Sequence, residues 1–347
     1  MKALQINAPG QVSAVELPEP GAPKAGEVLL RMEYVGFCGS DLNTYRGKNA
    51  MAKSPVIPGH EIGAVIEAVG PGVPDSLQAG MTVTVNPYTA CGSCPSCRRG
   101  RPNACRSNQT LGVQRDGAMR ELMAVPWEKV IPAGKLSTLE AALVEPMSVG
   151  FHAVSRGSVT DIDTVMVIGC GMVGLGAVVR AALRGATVIA ADIDDEKLLI
   201  AKQMGAAYAL NTMAPDFNER LAEVTGGDGP DVVVEAVGSP ATYRLAVDSV
   251  AFTGRVVCIG YSKTDVTFET RLFVQKELDI RGSRNADPAD FRAVIRYMER
   301  RTCPTDTLIS RITSWSDASD ALSFWNINPG KVFRILLRIG SNTVKNA

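Results

Sequence analysis

The stretch from Thr164 to Asp192, "TVMVIGCGMVGLGAVVRAALRGATVIAAD", admits few folds. Val165 to Ile168 form a short, wholly apolar run of the kind a buried strand needs, and Gly169, Gly171 and Gly174 follow in GxGxxG spacing. A helical pattern then runs through Ala182, and "ATVIAAD" supplies a second strand ending in Asp192. The glycine triplet alone is a weak signal; with a strand before it, a helix after it and a carboxylate closing the next strand, it predicts a dinucleotide-binding turn. The glycines permit a tight turn, so the backbone of Gly169, Gly171, Met172, Val173 and Gly174 can approach a pyrophosphate where helix amides and the helix dipole favour an anion. Asp192 can bind both hydroxyls of an adenosine ribose and repels a 2′-phosphate, so NAD is expected over NADP. Three more runs, Asp231 to Gly238, Gly254 to Gly260 and Leu278 to Gly282, each preceded by a helical stretch, extend a parallel sheet. Residues 148–282 are therefore expected to be an α/β, doubly wound Rossmann domain that binds NAD. Cys170 and Cys258 read as small buried hydrophobes, and Cys303 receives no role.

The chain ahead of this region has a different texture. Val28, Leu30, Met32 and Tyr34 alternate on one face of a strand, as do Ile62, Ala64, Ile66 and Ala68, and Met81, Val83 and Val85. Turn signals such as "SPVIPGH" and "VGPGVPD" separate them, which predicts a twisted antiparallel β domain or barrel over about 150 residues. A helix from Pro288 to Arg300 and a final strand, "KVFRILLRI", are expected to return to it, giving a first domain of residues 1–147 and 283–347.

An excursion from that scaffold, "CGSCPSCRRGRPNAC", holds Cys91, Cys94, Cys97 and Cys105. Four thiolates in one short loop suit tetrahedral zinc, and Gly92, Ser93 and Ser96 let the loop turn tightly. An iron–sulfur cluster also takes four cysteines, but these spacings match neither ferredoxin pattern. A filled shell leaves no position for substrate, so this zinc is expected to be structural. Arg98, Arg99, Arg101 and Arg106 read as a solvated rim, because no aromatic residue interleaves with them as in a nucleic-acid surface. The 36 basic and 36 acidic residues balance, so no general attraction to nucleic acid or anionic membrane is expected. The absence of an apolar leader and of any membrane-length apolar run predicts a cytoplasmic protein, where clustered cysteines are metal ligands more often than disulfides.

A sparser set lies in the same region: Cys38 in "GFCGSD", and His60 and Glu61 in "PGHE". Three protein ligands would leave the open fourth position that a catalytic zinc requires. Read without further context, three scattered residues fit a core thiol, a turn histidine and a surface charge better.

The order Cys38, "GHE", four-cysteine loop, "EPMSVGFHA" and GxGxxG resembles the zinc-dependent medium-chain dehydrogenases, in particular their polyol and sugar-acid branch around sorbitol and L-idonate or L-galactonate 5-dehydrogenases. The resemblance spans nearly the whole chain and implies a GroES-like catalytic domain beside the Rossmann domain. It reverses the preceding reading: Cys38, His60 and Glu61 would hold a catalytic zinc, with Glu145 of "VEPMSVG" binding the metal or its water. It implies two zinc ions per subunit, one catalytic and one structural, with NAD as hydride acceptor and zinc as Lewis acid. Lys197 falls where the family often has a basic residue beside the adenosine ribose, and Ser40 where a hydroxyl takes the alcohol's proton. Many relatives pass that proton to a histidine three residues later; Asn43 stands there in this chain and cannot titrate, so the exit would run through water or a group such as Tyr45. Arg284, in "RGSRNADPADF", is expected near the nicotinamide, where it could clamp a substrate carboxylate or bind hydroxyls. His152 reads as a buried helix residue rather than a base. The implied substrate is a small polyol or sugar acid, and the implied assembly a homodimer or homotetramer. A threonine-type or simple-alcohol dehydrogenase and a non-catalytic, NAD-sensing zinc protein are the rival readings.

Overall fold

A computed structural model describes residues 1–340, and the last seven residues of the expected first domain lie outside them. The chain divides into two compact units, Met1–Glu145 with Phe291–Ala347, and Pro146–Asp290. Among the described residues no helix is long and apolar enough to cross a membrane.

In the first unit β1 (Lys2–Ala8) and β2 (Gln11–Glu16) form an antiparallel pair. A second sheet is built on the long strand β3 (Glu27–Phe37), which pairs antiparallel with β4 (Glu61–Val69) and, along its first half, with β6 (Leu122–Pro126). Strand β5 (Thr82–Val85) extends it from β4, and β7 (Val130–Pro132) from β5. Val28, Leu30 and Met32 share a fully buried face, as the alternation predicts. Tyr34 does not join them: the β3–β4 register shifts between Met32 and Tyr34, and the ring stays half-buried.

The antiparallel register places Gly36 of β3 opposite Glu61 of β4. The end of β3 therefore runs into Cys38 beside the point where His60 leads into β4. Gly36 is required here, since a Cβ on it would lie 2.2 Å from Glu61 Oε2.

The second unit holds β8 (Thr164–Ile168), β9 (Thr187–Asp192), β10 (Tyr208–Asn211), β11 (Val232–Glu235), β12 (Arg255–Cys258) and β13 (Asp279–Gly282). They form one parallel sheet in the order β10-β9-β8-β11-β12-β13. This is the doubly wound arrangement, in which strand order reverses beside β8 and ligands bind beyond the carboxyl ends of the strands. Val165 to Ile168 and Val232 to Val234 are buried on both faces, which is why these strands read as unbroken apolar runs. The helix Met172–Leu183 packs tightly at its start, where a Cβ on Gly174 would meet the Gly169 carbonyl oxygen at 1.7 Å.

The chain returns through the helix Pro288–Met298 to β14 (Arg311–Thr313) and β15 (Ile335–Arg338) in the first unit. β15 pairs antiparallel with β3, placing Ile335 opposite Phe37. β14 lies parallel to β15, so the sheet is mixed rather than purely antiparallel; the helix Ala318–Ile327 between the two strands supplies the crossover. The last strand begins at Ile335 rather than Lys331, because Pro329–Lys331 form a short 3-10 turn.

Candidate metal and dinucleotide sites

Cys38 precedes the short helix Gly39–Tyr45, and the ligand atoms of Cys38, His60 and Glu61 lie within 4.8 Å of one another. His60 is 5% exposed and Glu61 fully buried. Asp41 accepts the Cys38 backbone N–H at 2.8 Å, which fixes the turn. Arg334, delivered by the approach to β15, lies 3.0 Å from Glu61 Oε1 and donates to the Phe37 carbonyl at 2.7 Å. His60 Nδ1, Asp41 Oδ1, Ser40 Oγ and both Glu61 oxygens are nevertheless buried without a hydrogen bond. Each buried polar atom left so costs about 1–3 kcal/mol, which marks a site organised around something else.

Burial lowers the His60 pKa, but the charge of Cys38, a hydrogen bond to it, and the charges of Glu145 and Asp41 outweigh that and hold it well above 6.5. Burial pushes Asp41 up to about 6 against the opposing pull of His60. The enclosure thus concentrates anionic donors around one imidazole, a donor set that fits a divalent zinc ion. Glu145 lies outside the 4.8 Å cluster but feels the charges of His60, Glu61 and Arg334; burial first raises its pKa. It is 3% exposed in the first turn of the helix Val144–Arg156, and the Tyr88 hydroxyl donates to its Oε1. Tyr45 packs its ring against the core of the unit.

Cys91, Cys94, Cys97 and Cys105 also gather their sulfurs within 4.8 Å. Cys94 Sγ lies 3.5 Å from Cys97 Sγ and 3.9 Å from Cys105 Sγ. A zinc tetrahedron with Zn–S bonds of about 2.3 Å sets its sulfurs about 3.8 Å apart, so the spacing fits. Backbone amides point at the thiols: Cys94 N–H donates to Cys91 Sγ, and Cys91 N–H to Cys105 Sγ, each at 3.3 Å. Hydrogen bonds from Ser93 pull the Cys91 pKa down to about 7, and the Ser96 hydroxyl leads those that bring Cys94 to about 5. Burial pushes Cys97 up to about 11.

In the second unit Gly171 opens the helix Met172–Leu183, and a Cβ there would meet nothing within 4 Å. That open cradle at a helix N-terminus, bordered by Met172, Val173 and Gly174, fits a pyrophosphate. Asp192, at the end of β9, accepts the Cys170 N–H at 2.6 Å and the Asp194 N–H at 3.1 Å, which fixes its half-exposed carboxylate beside the glycine turn. Lys197 lies in the first turn of the helix Asp195–Gln203, and its charge is felt, with that of Asp192, at Cys170. Arg284 follows β13 in this unit and is half-buried. His152 is buried on its helix with Nδ1 2.9 Å from Asp290 Oδ2.

Residues 173–300 match the zinc-binding dehydrogenase family, and residues 24–135 match the GroES-like domain of alcohol dehydrogenases. The L-galactonate-5-dehydrogenase of Escherichia coli is 34% identical over 85% of this chain and 86% of its own. The chain belongs to the zinc-dependent medium-chain alcohol dehydrogenases. A sorbitol dehydrogenase of Bacillus subtilis is 36% identical over 81% of each chain. A solved alcohol dehydrogenase from Escherichia coli, complexed with NADH, is 32% identical with a TM-score of 0.88 and covers 97% of this chain and 99% of its own. As a member of this dehydrogenase family the protein is an enzyme with a GroES-like and a Rossmann-like domain.

Three residues around the Cys38 cluster and Glu145 are not legible in the sequence. Arg334 had a signal, a lone cation inside the apolar run "KVFRILLRI", and Asp41 one in its capping position after Cys38. Tyr88 had none.

Proposed function

We propose that this dehydrogenase transfers hydride from a secondary alcohol of a polyol or sugar acid to NAD. Cys38, His60 and Glu61, with Glu145 beside them, would hold the catalytic zinc, and the four-cysteine loop a structural zinc. The observation that carries this reading is the buried, incomplete donor set at Cys38, His60 and Glu61, in which His60 Nδ1 and Glu61 Oε2 have no hydrogen-bond partner. When bound, zinc supplies Lewis acidity toward the alcohol and the dinucleotide a hydride acceptor.

The chain's own residues have separable tasks. Arg334 and Asp41 hold Glu61 and the Cys38 turn in place. Ser40, with its hydroxyl buried and unengaged, is the group within the enclosure suited to accept and pass on the alcohol's proton. Asn43, on the same short helix, cannot take the proton, so its exit would run through water or a group such as Tyr45. In the second unit Gly169, Gly171, Met172, Val173 and Gly174 would cradle the pyrophosphate, with Asp192 and Lys197 at the ribose and Arg284 recognising a substrate carboxylate or hydroxyl. The named activities of the L-galactonate and sorbitol enzymes support the substrate class. Assembly as a homodimer or homotetramer in the cytoplasm belongs to the same reading and rests on the family resemblance.

A panel of hexitols, hexonates, threonine and short primary alcohols, assayed with NAD, tests the substrate class. Activity confined to threonine or primary alcohols would refute it. Cofactor choice has its own test in Asp192→Asn, which keeps an acceptor for the Cys170 N–H but removes the charge. The preference for NAD over NADP should fall roughly tenfold or more, the equivalent of about 1.4 kcal/mol of lost repulsion. An unchanged ratio of kcat/KM values for the two cofactors would assign the selection to another group.

A further inference from the structure

Tyr88 joins two features that the proposed function treats separately. It lies three residues ahead of Cys91, on the segment that leaves β5 for the four-cysteine loop, and its side chain reaches Glu145. The ring is 5% exposed and packed into the first unit. Its backbone is held on both sides: its N–H donates to Asn86 Oδ1 at 3.1 Å, and its carbonyl accepts from Lys129 Nζ at 2.6 Å. The next residue is tied as well, Thr89 N–H donating to Asn108 Oδ1 at 3.1 Å. The phenol thus approaches Glu145 from a braced segment with little freedom to follow the carboxylate if it turns.

A carboxylate beside a divalent ion can bind through one oxygen or close on it with both, and the second mode uses up a coordination position. A donor fixed on one oxygen opposes that closure. From this geometry we propose that Tyr88 is a positioning residue for Glu145: its hydroxyl pins Oε1, prevents the carboxylate from closing on the metal with both oxygens, and so keeps a position open for the alcohol. This rests on the reading of Glu145 as the carboxylate beside the catalytic metal. It also gives the four-cysteine loop a second task, because the segment that leads into that loop carries the donor that sets Glu145.

The test uses holoenzyme in which cobalt replaces zinc, since cobalt's visible bands are intense in four-coordinate sites and weaken when coordination rises. The four-cysteine contribution is common to every variant and cancels in difference spectra. Tyr88→Phe keeps the buried ring and removes only the hydroxyl. It should weaken the visible bands of the Cys38 site, raise the alcohol KM and lower kcat/KM roughly 10- to 100-fold, the usual range for loss of a group that orients a metal ligand. In a Glu145→Ala background the same change should leave the spectrum and kcat/KM where Glu145→Ala alone put them, because Tyr88 acts through Glu145. Wild-type cobalt bands and kcat/KM in Tyr88→Phe, with or without a lower thermal midpoint, would reduce Tyr88 to a packing role and overturn the proposal, as would an undiminished effect in the Glu145→Ala background. If Glu145→Ala itself leaves the cobalt spectrum unchanged, the placement of Glu145 at the metal fails first and the proposal falls with it. A changed Glu145→Ala spectrum beside an unchanged Tyr88→Phe spectrum sinks the Tyr88 role alone.

Discussion

Cys38→Ala is expected to bring NAD reduction down to the level seen without enzyme while the protein still folds. The thiol is half-buried at the start of a short helix rather than in the apolar core, so its removal should cost about 1 kcal/mol of stability or less. Its loss from the proposed metal set would be far more serious, because the thiolate is the softest donor of the Cys38, His60 and Glu61 set and the donors left behind would hold a zinc ion poorly. Steady-state rates with NAD and a hexonate or hexitol, together with thermal midpoints, separate the two effects. Full activity in Cys38→Ala would remove this cysteine from the catalytic shell. Loss of activity accompanied by a collapse in thermal midpoint would make it a structural residue instead.

The opposite pattern is expected for Cys94→Ala. Cys94 is 5% exposed, and its sulfur stands within 4 Å of two other sulfurs of the loop, so alanine there would break the tetrahedron of the proposed structural zinc. Loss of a structural metal falls among the few mechanisms that destabilise by more than about 4 kcal/mol, and for a unit of this size such a loss lowers the thermal midpoint by about 10 °C or more. Activity measured well below that midpoint should persist, reduced to the extent that the segment carrying Tyr88 loosens. Scanning calorimetry beside initial rates checks this. A Cys94→Ala protein with wild-type stability but no hydride transfer would reverse the roles of the two metal sites.

What the sequence disclosed follows the distance over which each feature is encoded. The strand, glycine turn and Asp192 of the dinucleotide unit were readable because they follow one another along the chain. The same holds for the four cysteines, whose spacing alone brings them to one point. Cys38, His60 and Glu61 are different: the antiparallel register that sets Gly36 against Glu61 joins them, and no local pattern announces that register. On residues alone they read as a thiol, a turn histidine and a surface charge, and only the resemblance to a family brought them forward. Partners at still longer range were missed altogether. Arg334 reaches Glu61 from the other end of the chain, after the return that places Ile335 against Phe37, and Tyr88 reaches Glu145 across 57 residues. The parallel β14–β15 pair was missed for a related reason: short apolar segments show that a strand exists but not its direction.

The most direct test of hydride transfer at the Cys38 site is NADH formation from hexonates and hexitols followed through metal removal and return. Zinc per chain is measured at each stage. The expected result is NADH formation by the zinc-loaded protein, its loss when a chelator takes the zinc from the Cys38 site, and its recovery when zinc is restored. NADH formed at an undiminished rate by protein verified to be metal-free would contradict it.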